Sequence, residues 1–226
     1  MKPMGEEHLA VLRRHMVEVV EIHADLAAEE LGAAALDPRV LEAMRRVPRH
    51  LFVPAPLAHL AYQDTPLPIG FDKTISQPFV CALMTHLLAP GPGDAVLEVG
   101  TGLGYQTAVL AELAGRVRSV EVVEELALSA EARLRRLGYG GVEIRVGDGS
   151  RGWAERAPFD RVLVAAAAER VPPVLLQQLR PGGGRLVMPL GPGEAQRLVV
   201  LDKDAGGRVS TRESIPVRFS RLETVL

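Results

Sequence analysis

The stretch Ala95-Val96-Leu97-Glu98-Val99-Gly100-Thr101-Gly102-Leu103-Gly104 decides how the rest of this chain is read. Residues 95–99 are aliphatic apart from Glu98, the pattern of a strand buried on both faces. Glycines at 100, 102 and 104 interrupt it, and a helix is predicted over 104–114. A glycine lets the backbone turn sharply and approach a ligand, because no Cβ stands in the way. The free N–H groups of the helix start that follows favour an anionic group. The dinucleotide fingerprint Gly-x-Gly-x-x-Gly is not met, since Tyr105 stands where its last glycine belongs.

Downstream of this loop the alternation repeats. Further strands are predicted at Val117–Glu121, Val142–Val146, Phe159–Ala165 and Arg185–Pro189, with helices over 124–137 and 172–179. Strands alternating with helices imply a parallel sheet with right-handed crossovers. The segments Arg197–Leu201 and Arg208–Phe219, joined at Gly206-Gly207, read as an antiparallel hairpin on a sheet edge. The fold class is therefore α/β, a doubly wound, mostly parallel seven-stranded sheet with a C-terminal edge hairpin.

Upstream lies a helical extension. Residues 6–31 place Leu9, Leu12, Met16, Val19, Val20 and His23 at helical spacings. Asp37-Pro38 reads as an N-cap and first helical residue of a helix through Val47. Prolines 48, 54, 56, 66 and 68 predict that 48–72 is mostly loop with short helical turns. A helix is expected from Ser76 through Leu88, with Pro78 tolerated in its first turn. The chain is read as one domain over 1–226. Its residues 1–90 form an N-terminal, substrate-side segment and 91–226 a ligand-binding α/β core.

Composition narrows the function classes. With 47% hydrophobic and 24% charged residues, 226 residues suffice for a soluble core without covalent staples. The one cysteine, Cys81, excludes an internal disulfide and suits a reducing compartment. A net charge of -2 supplies no overall basic field for nucleic acid. The start MKPMGEEHLAVLRRHM lacks the apolar stretch of a leader, and no apolar run reaches the ~18 residues of a membrane span. A cytoplasmic protein with neither a nucleic-acid nor a membrane partner is expected. His50, His59 and His86 have no metal-ligand spacing with one another or with Cys81, so no metal site is expected. Cys81 reads as a small core filler and Trp153 as a packing residue. The chain contains no asparagine, to which no function is assigned.

The pattern Glu-x-Gly-x-Gly-x-Gly over 98–104 resembles the class I S-adenosylmethionine-dependent methyltransferases, whose sheet is Rossmann-like. That resemblance gives roles to two more acids at strand ends. Glu121 would accept both ribose hydroxyls as a bidentate pair, and Asp148 of Gly147-Asp148-Gly149 would lie by the adenine amino group.

More specific runs surround the loop. Arg45-Arg46-Val47-Pro48-Arg49-His50-Leu51-Phe52-Val53-Pro54 precedes Ala61–Gly70, then Lys73-Thr74-Ile75-Ser76-Gln77-Pro78. With Gly147-Asp148-Gly149-x-x-Gly152-Trp153 and Pro216-Val217-Arg218-Phe219, these strongly resemble the protein-L-isoaspartate O-methyltransferase family. The resemblance implies methyl transfer to the free carboxylate of L-isoaspartyl residues in damaged proteins or peptides, with repair through a succinimide. S-adenosyl-L-methionine is the implied cofactor and S-adenosyl-L-homocysteine the product. It implies cofactor contacts at Thr74, Ile75, Ser76, Glu98, Gly100, Thr101, Gly102, Gly104, Glu121, Asp148 and Gly149, and an active-site role for Ser76.

A carboxylate acceptor is already ionised at neutral pH, so the chemistry needs positioning and exclusion of water more than a base. The Ser76 hydroxyl suits that task, and Ser76 could equally be the N-cap of the helix after it. Leu103 departs from the serine common in this family's loop. Arg161 and Ala165 depart where small or hydroxyl residues are frequent, and Ala165–Ala168 borders the expected substrate mouth. Three other readings stay open. One is carboxyl methylation of a dedicated peptide, disfavoured by how soon the chain stops after Phe219. The others are a cofactor-binding protein without turnover and a nucleic-acid methyltransferase, which would call for a basic groove or an asparagine-containing acceptor motif.

Overall fold

The computed structural model describes residues 5–31 and 35–225; the opening four residues of the segment read as lacking a leader lie outside them. Helix α1 spans Glu6–Leu26 and α2 Ala28–Leu31, so the expected single helix over 6–31 is broken at Ala27. Helix α3, Pro38–Arg46, opens as its sequence dictates: Pro38 occupies the first turn, and the Asp37 side chain accepts from the Arg39 N–H at 2.8 Å. Two 3-10 turns, Arg49–Phe52 and Ala55–Leu60, follow.

The proline-rich stretch also holds strands that its sequence concealed. Strands β1 (Leu67–Gly70) and β2 (Lys73–Ile75) form a two-stranded hairpin, turned by Phe71 and Asp72, both at φ +54°. Elements of three and four residues are too short to display alternation, and Pro68 is tolerated because a two-stranded ribbon has only edges. Helix α4 runs Pro78–Leu88. It starts two residues later than expected, because the residue before a proline is pushed out of helical geometry: Gln77 sits at φ -51°, ψ 138°.

The large sheet comprises β3 (Ala95–Val99), β4 (Arg116–Glu121), β5 (Glu143–Val146), β6 (Arg161–Val164), β7 (Gly184–Leu190), β8 (Gln196–Lys203) and β9 (Val209–Val217). Their order is β5-β4-β3-β6-β7-β8-β9, parallel from β5 to β7 and antiparallel thereafter. Helices α5 (Tyr105–Ala111), α6 (Glu124–Arg136) and α7 (Pro173–Gln178) connect the parallel strands.

Strand β3 alternates between two cores. Val96 joins the one built with α1, α3, α4, α5 and α6, while Ala95, Leu97 and Val99 join the one built with α7 and Phe159. The N-terminal extension thus covers one face of the sheet. The chain leaves β3 toward β4 on one side and returns across it to β6 on the other. This reversal opens a crevice beyond the carboxyl ends of the strands, and the pairings Val99↔Val120 and Val99↔Val164 bring Gly100, Glu121 and Ala165 together there.

Candidate active site

A cavity of about 530 Å³ occupies that crevice. On one side the glycine loop forms its floor. Gly100 (φ +93°) donates its N–H to the Val120 carbonyl at 2.8 Å, and Ala165 donates to the Val99 carbonyl at 2.8 Å. Gly102 (φ +54°) donates to Glu121 Oε2 at 2.8 Å, and Val123 N–H donates to Oε1 at 3.0 Å. The Glu121 carboxylate therefore ties the loop to the turn after β4 while lining the cavity. Gly149 closes this side, and only glycine fits: a Cβ there would lie 2.2 Å from Val99 Cγ1.

Glu98 lies under the loop, fully buried. Its Oε2 accepts from Thr107 Oγ1 at 2.5 Å and from Ser119 Oγ at 2.6 Å, and Ser119 Oγ meets Thr101 Oγ1 at 2.6 Å. With the Ser119 proton directed to Glu98, the Thr101 hydroxyl must donate to Ser119, which makes a relay from cavity wall to buried acid. Among the described residues Glu98 Oε1 has no partner, and burial pushes the carboxyl up to about 8 against the opposing pull of the two hydroxyls.

The opposite side comes from the N-terminal segment. Thr74, Ile75 and Ser76 line the cavity, followed by Gln77, Phe79 and Cys81. Ser76 is not the cap of α4. Gln77 holds that position, and the capping bond comes from far away: Asp64 Oδ1 accepts from the Phe79 N–H at 2.8 Å, while its Oδ2 accepts from Gln77 Nε2 at 2.8 Å and meets His23 Nδ1 of α1. Among the described residues no hydrogen bond engages the Ser76 hydroxyl, whereas its carbonyl accepts from Arg49 at 2.7 Å.

The third wall was not legible in the sequence. Residues 215–223 line the cavity, because the chain beyond β9 passes over the strand ends. Gln196 anchors it by exchanging two hydrogen bonds with the Phe219 backbone, and a bridge pairs Ala167 with Arg221. Lys73 of β2 forms an ion pair with Glu223, so hairpin and tail meet above the cavity. Farther on, Val225 N–H donates to Asp148 Oδ2 at 3.2 Å and Arg151 donates to the Val225 carbonyl at 3.1 Å.

Of the residues singled out in the sequence, Thr74, Ile75, Ser76, Gly100, Thr101, Gly102, Glu121 and Gly149 line one cavity. Glu98, Gly104 and Asp148 stand behind the lining. Asp148 caps its own turn, its Oδ1 accepting from Ser150 N and Oγ, and Gly104 packs against Leu134. Leu103 and Ala165 are lining residues, so two of the three departures from the family pattern fall in the site. Arg161 does not; it pairs with Asp94 at the amino ends of the strands.

The family model described as "Protein-L-isoaspartate(D-aspartate) O-methyltransferase (PCMT)" matches residues 24–224. The chain belongs to this family. It is 53% identical over 220 residues to protein-L-isoaspartate O-methyltransferase 1 of Polaromonas sp. strain JS666, covering 97% of this chain and 93% of that one. It is 52% identical over 216 residues to protein-L-isoaspartate O-methyltransferase 2 of Syntrophobacter fumaroxidans, covering 95% and 87%. Among solved structures, a protein-L-isoaspartate O-methyltransferase superposes with a TM-score of 0.78 at 25% identity, over 92% of this chain and 65% of that one. A Plasmodium falciparum structure, described as a protein-L-isoaspartate O-methyltransferase in complex with S-adenosyl-L-homocysteine, has the same fold, with a TM-score of 0.77 at 23% identity over 94% and 99%. Family membership thus rests on most of the chain, the strand-end acids and the Thr74–Ser76 segment included.

Proposed function

We propose that this cavity methylates the free carboxylate of L-isoaspartyl residues in damaged proteins or peptides, using S-adenosyl-L-methionine, and so initiates repair through a succinimide. The observation that carries the reading is one cavity with a glycine loop and Glu121 on one side and the unengaged Ser76 hydroxyl on the other. When bound, the cofactor supplies an activated methyl group. The residues fit it: the loop comes close where a Cβ on Gly102 would crowd Ile69 at 3.2 Å, and Glu121 presents a carboxylate suited to a pair of ribose hydroxyls.

The chain's own groups then divide the work. Gly100, Thr101, Gly102, Glu121 and Gly149 hold the adenosyl side, with Glu98 and Gly104 fixing the loop from behind and Asp148, engaged by Ser150 and Val225, shaping the turn at the adenine edge. Thr74 and Ile75 border the methionine side. Ser76 donates a hydrogen bond that orients the acceptor carboxylate, and the hairpin and tail exclude water from it. Holding an ionised oxygen in line is sufficient catalysis here, because positioning and desolvation are each worth several kcal/mol. Within a single domain, residues 1–90 supply the hairpin and Ser76 of the acceptor side, and 91–226 supply the cofactor floor together with the tail that completes the mouth. Among the described residues no helix is long and apolar enough to cross a membrane, and the lone, buried Cys81 suits a cytoplasmic setting.

The deciding experiment supplies labelled cofactor with an isoaspartyl peptide and its aspartyl twin. Base-labile label, released as methanol, should enter the first alone. Equal labelling of both, or of neither, would refute the reading.

A further inference from the structure

Arg49 is the largest fully buried side chain among the described residues, and the mechanism above makes no use of it. Its Nε donates to the Ala61 carbonyl at 2.9 Å and one terminal nitrogen to the Ser76 carbonyl at 2.7 Å. The other terminal nitrogen, Nη1, is buried without a hydrogen-bond partner among the described residues. The guanidinium carbon lies 4.7 Å from the centroid of the Tyr105 ring, whose hydroxyl is also buried and unpartnered. Ser76 and Tyr105 both line the cavity, so Arg49 sits one layer behind it.

A buried cation normally has a carboxylate beside it, because desolvation of a lone charge costs several kcal/mol. Asp64, whose carboxylate acts on Arg49 electrostatically, already serves His23, Gln77 and Phe79 N–H, and no ion pair joins it to Arg49. Burial lowers the Arg49 pKa, yet a guanidinium stays protonated at neutral pH. The protein thus keeps a guanidinium without a directly paired carboxylate in a low-dielectric layer against the Ser76 side of the cavity, where a charge acts strongly over several ångströms.

We infer that Arg49 is a positioning residue that makes the Ser76 side of the cavity a carboxylate site, by holding the Ser76 backbone and by supplying the charge that a bound carboxylate would balance. The inference rests on the function proposed above. Two carboxylates could answer to it, that of the isoaspartyl acceptor and that of the cofactor's methionine portion.

The test compares the full-length wild type with Arg49→Lys, which keeps the charge, and Arg49→Gln, which keeps a donor without charge. KM and kcat for an isoaspartyl peptide report the first carboxylate; calorimetric affinities for S-adenosylhomocysteine and for its decarboxylated analogue report the second. Arg49→Gln should weaken one of the two carboxylate ligands by about tenfold or more, with Arg49→Lys within about threefold of wild type. A shift in peptide KM assigns the charge to the acceptor; a shift for S-adenosylhomocysteine but not for its decarboxylated analogue assigns it to the cofactor. Equal damage from lysine and glutamine, or no damage from either, overturns the inference and leaves Arg49 a structural clamp.

If Arg49→Gln does not fold, competition by isoaspartyl and isoasparaginyl peptides, together with the two cofactor analogues, decides on wild type and Arg49→Lys. Each protein should then prefer the carboxylate member of one pair by about tenfold, and no preference in either pair overturns the inference. Should the wild type methylate no isoaspartyl peptide, the proposed function fails separately, and the cofactor arm alone decides on Arg49.

Discussion

The two sides of the cavity are built from different kinds of bond. On the floor, Glu98 and Glu121 are almost wholly buried and take their hydrogen bonds from backbone amides and short hydroxyls whose positions the sheet already fixes. Over the mouth, the β1–β2 hairpin and the tail meet through a mostly covered Lys73 and a half-exposed Glu223, with Arg221–Glu169 and Arg218–Glu194 beside them on side chains that are largely in water. Buried hydrogen bonds are costly to break because each orphaned partner stays desolvated, whereas exposed ion pairs contribute ~0–1 kcal/mol and weaken with salt. On the proposed division of the site, the cofactor side is therefore preorganised, and the acceptor side is held by contacts weak enough to be exchanged for those of a polypeptide substrate.

The largest expected effect on this contrast comes from Glu98. An acid whose pKa rises from about 4.5 unfolded to about 8 folded favours the folded chain most below the lower value, where it is protonated in both states. Between these values the unfolded state releases a proton that the folded state keeps. The ligand-free protein should lose up to ~1.4 kcal/mol of stability per pH unit across that window, and nothing further above it. Denaturant titrations from pH 5 to 9 would measure this, and Glu98→Gln should flatten the profile. An unchanged slope in that variant would mean the floor owes nothing to the buried acid.

Glu121→Ala comes next. It removes the acceptor of two backbone N–H groups as well as a ligand-facing carboxylate, and each unsatisfied group costs ~1–3 kcal/mol. Calorimetry should show S-adenosylhomocysteine affinity reduced by about a hundredfold, with turnover at saturating cofactor much less affected. Ser76→Ala should do the reverse. Its hydroxyl supports no helix cap, so folding and cofactor affinity should hold while kcat falls by ~10–100-fold, the loss of about one hydrogen bond to a charged group. If affinity fell and kcat did not, the division of labour between floor and acceptor side would be wrong.

The floor was also the legible side. Glycine spacing after a buried strand, with acids at the ends of the next strands, is a local pattern whose physical meaning survives without tertiary information. The walls contributed by 66–81 and 215–223 are assembled over long sequence separations. The capping acid of α4 is Asp64 rather than the adjacent Ser76, because Pro78 displaced the helix start. Arg49 sits in a run that announced the family, but its lack of a carboxylate partner becomes visible only once Asp64 is seen to be engaged elsewhere. The tail carried no motif beyond Pro216–Phe219 to say that it would cross the strand ends, and its reach to Asp148 depends on a backbone N–H that every residue but proline possesses.

The smallest effect tests the mouth. Lys73→Met together with Glu223→Gln removes the ion pair that joins hairpin to tail without touching the floor. Because Lys73 is mostly covered and Glu223 half exposed, global stability should change by less than ~1 kcal/mol. The local consequence should be larger than the global one. The tail beyond Phe219 would keep the Ala167 bridge, the exposed Arg221–Glu169 pair, the packing of Leu222 and the contacts of Val225 but lose its tie to the hairpin, so amide exchange of residues 223–225 should quicken while that of Gly100 and Gly102 stays slow. Wild-type protein in high salt should move the same way, since screening acts on exposed pairs and spares buried ones. Faster exchange at Gly102 in either experiment would show that floor and mouth open together, and the separation of a preorganised cofactor side from an exchangeable acceptor side would then fail.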